Sequence, residues 1–352
     1  MISKNKILAL GLMSGTSLDG LDIALCSFVN NNGNWGFDIK KSQSTPYSKK
    51  TVQFLKSLET NSSQNLLRNH IEFGRFLGLK AKEFLKDEEK PNLIASHGHT
   101  IFHQPNHGYT FQAGHGQEIA NISGLPVVSD FRQKDISLGG QGAPLVPVGD
   151  LHLFPEHQSC INIGGFANIS IKKNNSIVAF DICPANYVLN YLTHNLNLDY
   201  DKGGEIAKSG EVQQELLSQL NALDFYQKKA PKSLGREWVE EYIFPIIDTY
   251  KCSIENKIST FTEHIAIQIN NSLPKGTSCL ITGGGAFNTY LITRIQELSQ
   301  SHIQTPTNQI IEFKEALVFA FLGTLFQLNQ PNCLSSVTGA SVDNIGGVLY
   351  LP

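Results

Sequence analysis

The 352-residue sequence contains no close pair of cysteines; Cys26, Cys160, Cys183, Cys252, Cys279 and Cys333 are scattered along it. That spacing argues against a disulfide framework or a zinc knuckle and fits reduced thiols. Long apolar runs are also missing. The longest, Ala316 to Phe326, is interrupted by Gly323 and Thr324 and falls short of the roughly 20 residues a bilayer-spanning helix needs. Only four consecutive apolar residues, Ile7 to Leu10, stand ahead of Gly11, too few for the core of a signal peptide. Neither end carries a basic run and the net charge is −3, so nucleic acid and anionic membrane are poor partners. These absences lead to the expectation of a soluble cytoplasmic protein.

The length exceeds what one core usually sustains, so two lobes with a cleft between them are expected. We place one lobe at 1–127 plus 337–352 and the other at 128–336. What the chain does have is a glycine turn that comes back. Gly-Leu-Met-Ser-Gly-Thr-Ser-Leu-Asp-Gly-Leu-Asp, residues Gly11 to Asp22, lies between the apolar runs Ile7–Leu10 and Ile23–Phe28, which reads as strand, turn, strand. Gly11, Gly15 and Gly20 can take positive φ and turn backbone N–H groups to an anion, with hydroxyls from Ser14, Thr16 and Ser17. Asp19 and Asp22 would repel a bare phosphate and make sense with Mg²⁺ between the charges. Alone, this stretch reads equally as a phosphate cradle or an ordinary hairpin.

The pattern returns at Cys160–Ile171 around Gly164 and Gly165, and again at Cys279–Asn288 around Gly283, Gly284 and Gly285, where the strand enters a helix carrying Leu291, Ile292, Ile295 and Leu298. Three glycine turns after buried strands suit a nucleotide, whose phosphates need gripping from two sides. Between the last two lies Asp181, at a strand end before Pro184 and a helical pattern from Tyr187. It reads as a helix-terminal acid on its own, and as a general base beside bound phosphates.

Elsewhere, Phe37–Thr45 reads as a third strand and Gln64–Lys86 as a helix with one apolar face. Leu93–His103 reads as a buried strand running into a polar loop. Five histidines fall between His97 and His115, but no carboxylate or cysteine recurs at ligand spacing and Gly98 and Pro105 break any helical face, so hydrogen bonding or loop packing is preferred to a metal site. Val127–Pro147 reads as a strand and a long non-helical loop, and Asp130, Arg132 and Asp135 beside its glycines favour a substrate loop over a linker. Lys232 and Arg236 sit in a basic loop that meets an anion or is merely solvated. Helices are expected over Val212–Leu220, Thr260–Leu273 and Glu312–Leu328, with Glu315 at the start of the last and facing the cleft. Val337–Ala340 and Ile345–Leu351 read as strand returning to the first lobe.

The order of these turns resembles the actin-like, hexokinase-like and Hsp70-like ATPase superfamily. The strings Gly11–Asp22, Ser129-Asp130-Phe131-Arg132, Gly139–Pro147, Asn162-Ile163-Gly164-Gly165 and Pro231-Lys232-Ser233 resemble, more narrowly, the anhydro-N-acetylmuramic acid kinase family. The resemblance implies an α/β, two-lobe actin-like (ribonuclease H-like) fold with central mixed sheets. It implies an enzyme of peptidoglycan recycling that uses ATP and water to turn 1,6-anhydro-N-acetylmuramic acid into N-acetylmuramic acid 6-phosphate, and a homodimer. Asp181 matches the catalytic aspartate. Gly15, Thr16, Ser17, Leu18, Asp19, Gly20, Leu21 and Asp22, with Gly164, Gly165 and Gly283–Gly285, match the nucleotide site, and Asp19 is the expected Mg²⁺ ligand. His99, Thr100, Asp130, Arg132, Gln141 and Glu315 are the expected sugar contacts.

The chain also departs from the family pattern. Ile182-Cys183-Pro184-Ala185-Asn186 stands for Thr-Gly-Pro-Gly-Asn, His99 for a glutamine and His115 for an aspartate. Losing two glycines requires Cys183 and Ala185 to avoid positive φ or carry strain. Two other readings stay open: a kinase for another anhydro sugar such as levoglucosan, and a catalytically silent nucleotide or sugar sensor on the same fold.

Overall fold

The computed structural model describes residues 6–174 and 176–352. The start of the segment on which the signal-peptide expectation rests, Met1–Asn5, lies outside the described residues. The chain divides into two compact units, Met1–Phe154 with Phe313–Pro352, and Pro155–Glu312.

In the first unit β1 (Lys6–Ser14), β2 (Gly20–Asn31) and β3 (Asn34–Pro46) form an antiparallel meander. β4 (Leu93–Gln104) adds parallel to β1, and β6 (Val127–Ser129) parallel to β4; β5 (Tyr109–Ala113) hangs on β4, and β12 (Val348–Tyr350) closes the edge against β6. Alternation sorts the two faces. Leu8, Leu10 and Leu12 join Leu21, Ile23 and Leu25 in a core with Phe73, Leu77 and Ala81 of the helix Ser63–Phe84. The opposite face carries small residues, Ala9, Gly11 and Ala95. There the helix Asn308–Gln327 lies almost on the strands: a Cβ at Gly11 would overlap the carbonyl oxygen of Ala316, and one at Gly323 would come 2.7 Å from the Ala95 Cβ. Ala316–Leu322 are all buried, as expected of a helix that is apolar all round.

The second unit repeats this plan. β7 (Ser159–Ile163), β8 (Phe166–Lys173) and β9 (Ser176–Pro184) form a second antiparallel meander, with β10 (Ser278–Thr282) and β11 (His302–Gln304) added in parallel beyond β7. The order β11-β10-β7-β8-β9 corresponds strand for strand to β6-β4-β1-β2-β3. The glycine turn that recurs in the sequence is thus the first hairpin of a recurring topology. Ile258, Phe261, Ile265 and Ile269 of the helix Ile254–Ser272 pack on this sheet, and Ser253 caps the helix by accepting the Asn256 N–H at 3.2 Å.

Several elements differ from the sequence reading. The first unit runs to Phe154, not 127, because β6 is a strand of the first sheet and the segment after it is tied to C-terminal residues, Gln141 N–H donating to Thr338 O at 2.8 Å. That segment is partly helical, at Gln133–Ser137 and Val146–Leu153. The helix expected from Glu312 begins at Asn308, so Glu315 lies two turns inside it. Val337 and Thr338 belong to a helical turn, Ser335–Thr338, whereas the expected return strand is β12.

Candidate active site

The opening turn is built differently from its glycine pattern. None of Gly11, Gly15 and Gly20 has positive φ; Leu18 does, at 63°, and its N–H donates to Gly15 O at 3.2 Å. Gly20 is there for close strand pairing, since a Cβ would come 2.5 Å from Thr45 O. Tyr47 holds the turn at both ends, its hydroxyl donating to Ser14 Oγ at 2.7 Å and its N–H to Asp19 O at 3.1 Å. Ser14 Oγ also meets His99 Nδ1 at 3.0 Å, and burial lowers the His99 pKa, which keeps the ring neutral near pH 7. Thr16, Ser17 and Asp19 remain exposed. Leu21, expected at the nucleotide, is fully buried in the core.

His97 and His99 would share a face in a regular strand. A bulge at His97–Gly98, where Gly98 has φ 71° and a Cβ would come 2.5 Å from Ala113 O, sends them to opposite faces. The His97 ring meets Phe319, at 4.7 Å between centroids, and the His99 ring meets Phe73, at 6.3 Å. The histidines therefore do not converge. Among the described residues no group of three or more His, Cys, Asp or Glu side chains is placed to hold a metal by itself.

His97, read from the sequence only as one of five histidines engaged in hydrogen bonding or loop packing, is the anchor of Arg132. Its Nε2 accepts from Arg132 Nε at 3.2 Å and from Nη2 at 2.9 Å, so the ring proton is on Nδ1 and is donated to Gly98 O at 3.0 Å. Arg132 Nη1 donates to Gly142 O at 2.8 Å. Burial pushes the Arg132 guanidinium down to about 10, with Glu315 acting in the opposite direction. Burial raises the Glu315 pKa, Arg132 opposes this, and Asp22 adds to it. Arg132 and Asp22 thus act electrostatically on Glu315, in opposite directions. The other expected sugar residues have partners of their own. Asp130, with φ 58°, accepts from Tyr350 Oη at 3.0 Å. Thr100 accepts weakly from Gln112 at 3.4 Å, and the Gln141 side chain is exposed.

His115 is the N-cap of the helix Gly116–Ser123 and makes no side-chain capping bond. An aspartate with the same extended backbone accepts a first-turn N–H and favours the helix dipole. His115→Asp should therefore raise the unfolding free energy by about 1 kcal/mol, read by urea denaturation; an equal or lower midpoint would contradict this account of the turn.

In the second unit, the parallel pairing of β7 with β10 sets the two glycine turns side by side, with Thr282 Oγ1 donating to Ile161 O at 3.2 Å. Gly283, with φ 82°, is demanded by this contact: a Cβ would come 2.6 Å from Asn162 Oδ1. Gly164, Gly165 and Gly284 are not so constrained. Their nearest neighbours to a Cβ are 3.6, 3.7 and 3.9 Å away, and none of the three has positive φ. Packing within the chain gives no reason for glycine there, whereas a ligand approaching the bare backbone does.

Asp181 lies within β9 opposite Asn168, next to a bulge at Ile182. Its Oδ2 accepts the Leu234 N–H at 2.8 Å, and its own N–H donates to Lys232 O at 3.0 Å. Among the described residues Oδ1 has no hydrogen-bond partner. Burial raises the carboxyl pKa, and the Leu234 N–H opposes the shift. Lys232 turns its amine onto Phe225 O at 3.2 Å and over the Phe225 ring at 4.5 Å, so it braces this loop. Arg236 lies over Tyr187 at 5.5 Å. Neither Cys183 nor Ala185 has positive φ. The N–H groups of Ala185, Asn186 and Tyr187 donate to the carbonyls of Gly165, Gly164 and Gly165 at 2.8, 3.2 and 3.1 Å. The altered turn thus avoids left-handed strain and spends its amides on the glycine turn beside it.

A model of the anhydro-N-acetylmuramic acid kinase family matches residues 7–352. The chain is 33% identical over 365 residues to the anhydro-N-acetylmuramic acid kinase of Pseudomonas syringae pv. syringae (strain B728a), covering 97% of this chain and 98% of that one. It is 34% identical over 366 residues to the protein of the same name from Coxiella burnetii (strain Dugway 5J108-111), covering 97% and 96%. Among solved structures it is similar to a ROK family glucokinase from Streptomyces griseus in complex with glucose and AMPPNP, 11% identical over 90% of this chain and 98% of that chain, with a TM-score of 0.40. With the quoted strings falling inside a match that runs from β1 to the last residue, the chain belongs to the anhydro-N-acetylmuramic acid kinase family of carbohydrate kinases.

Proposed function

We propose that Asp181 is the base in an ATP-dependent reaction that opens 1,6-anhydro-N-acetylmuramic acid and phosphorylates its O6. The observation that carries this reading is the state of the Asp181 carboxylate: one oxygen is pinned by Leu234 N–H, the other is unengaged among the described residues, and burial raises its proton affinity. Those are features of a positioned general base. Water attacks the anomeric carbon and gives one proton to Asp181 Oδ1. The bond from C1 to O6 breaks, and O6 takes the γ-phosphoryl group as ADP leaves. The sugar keeps the hydroxyl that came from water, so the product is N-acetylmuramic acid 6-phosphate.

The bare backbone at Gly164, Gly165 and Gly284 and the hydroxyls of Thr16 and Ser17 serve the phosphates of ATP. Mg²⁺ fits the exposed Asp19, because this ion is commonly held by one or two carboxylates together with nucleotide phosphates and water. When bound it offsets negative charge on the β- and γ-phosphates. Arg132, held by His97 and Gly142, and Glu315 beside it hold and orient the sugar, with His99, Thr100, Asp130 and Gln141 around them. The enzyme acts in the cytoplasm, as a homodimer. No helix among the described residues is long and apolar enough to cross a membrane.

Mass spectrometry of the product checks the reaction. The expected product is heavier than the anhydro sugar by one water and one phosphoryl group. A product that gains only the phosphoryl group would overturn the hydrolytic step, and faster turnover of levoglucosan in a competition assay would reassign the acceptor.

A further inference from the structure

Asp135 has no part in the reaction just described, yet it is fully buried and its carboxylate gathers donors from distant stretches. Oδ2 accepts the Gly142 N–H at 2.8 Å, and Oδ1 accepts from Thr338 Oγ1 and Asn344 Nδ2 at 2.9 Å each. Its backbone carbonyl accepts the Gly140 N–H at 2.9 Å, and a Cβ on Gly140 would overlap Oδ2. Among the described residues no lysine, arginine or histidine is ion-paired with it. A buried carboxylate held by neutral donors alone is costly to desolvate, and its removal would leave the Gly142 N–H, Thr338 Oγ1 and Asn344 Nδ2 without this acceptor. The arrangement makes sense for what it fixes. Gly142, at φ 67°, accepts Arg132 Nη1 on its carbonyl at 2.8 Å, and that bond with the two to His97 defines the plane of the guanidinium. A planar fork oriented on two sides has little freedom to search for its ligand.

We propose that Asp135 is a positioning residue for the sugar: by tying Gly142 to Thr338 and Asn344 it sets the carbonyl that orients Arg132. This rests on the reading of Arg132 as a sugar-side residue. Asp135→Asn keeps the volume but turns N–H groups toward donors, and Thr338→Val removes one donor while leaving Asp135 in place. ADP release is measured against both substrates with the full chain and each variant. The expected result is a rise in the KM for the 1,6-anhydro sugar of about tenfold or more in Asp135→Asn, from a displaced orienting group, a smaller rise in Thr338→Val, and an ATP KM changed by less than about twofold in both. A fall in melting temperature with neither KM altered, or a parallel rise of both KM values, would overturn the proposal, leaving Asp135 as a structural clasp. If Asp135→Asn fails to fold, the same split in Thr338→Val decides. An active wild type with no split refutes the positioning role alone. A wild type with no sugar-dependent turnover refutes the kinase reading and the positioning role with it.

Discussion

Asp181→Asn is expected to lower sugar-dependent ADP release by about 10²- to 10⁴-fold, the contribution of a positioned general base, without loss of stability. The asparagine carbonyl can still accept the Leu234 N–H that Oδ2 accepts at 2.8 Å, so the loop 231–234 keeps its tether to β9. The sign of the pKa shift separates function from stability. A carboxyl whose folded pKa is raised is disfavoured in its charged form by the fold, so at neutral pH the ionised Asp181 weakens folding and the neutral amide relieves that penalty. A variant with wild-type or higher melting temperature and almost no turnover is the signature of a group kept for chemistry. The same shift sets the acid limb of the pH profile. The base form is lost as pH falls through the raised pKa, so kcat/KM should begin to drop above the ordinary aspartate value, about 3.9. A profile flat down to that value would argue against Asp181 as the titrating base.

The second large effect is expected at Gly11, whose conformational freedom is not what the structure uses. Gly11→Ala places a Cβ on the Ala316 carbonyl oxygen, an atom of helix backbone that cannot rotate away. Separating β1 from the helix Asn308–Gln327 disturbs the packing of Ala316–Leu322, so the loss should be at the top of the overpacking range, about 3 kcal/mol or more. Against a typical total of about 5–15 kcal/mol, that is enough to lower the first transition in a urea titration markedly. An unchanged denaturation midpoint would show that the helix moves away at little cost. Activity per folded molecule is expected to fall as well, because Glu315, proposed to orient the sugar, stands next to Ala316 on the displaced helix.

These two positions show what the sequence made legible. The three glycine turns stand out because each follows a short buried strand, and the repeat of strand, turn and strand is the repeat of the two sheets. The strand and the turn around Asp181 were legible for the same reason, since the local string carries both. The purpose of Gly11 was not, since the same residue serves positive φ or close approach, and the choice depends on a helix some 300 residues later. From the sequence Glu315 reads as the start of a helix because the wholly apolar run begins just after it. The preceding turn from Asn308 carries Ile310, Ile311 and Phe313 among polar residues and offers no such contrast. The role of His97 depends on a bulge, for which Gly98 is the only local sign. Asp135 was visible beside the glycines, but two of its donors lie 203 and 209 residues away, and no pattern local to residue 135 announces them. Lys232 read as a candidate anion contact because its loop is basic; its partner, the Phe225 carbonyl, is a backbone atom that composition does not reveal.

The central claim is that sugar and ATP are turned over together through Asp181. ADP release from purified protein, with and without 1,6-anhydro-N-acetylmuramic acid, in the wild type and in Asp181→Asn, tests it most directly. The account predicts release that depends on the sugar in the wild type and is nearly abolished in the variant. Release that is independent of the sugar, or equal in the two proteins, would contradict it.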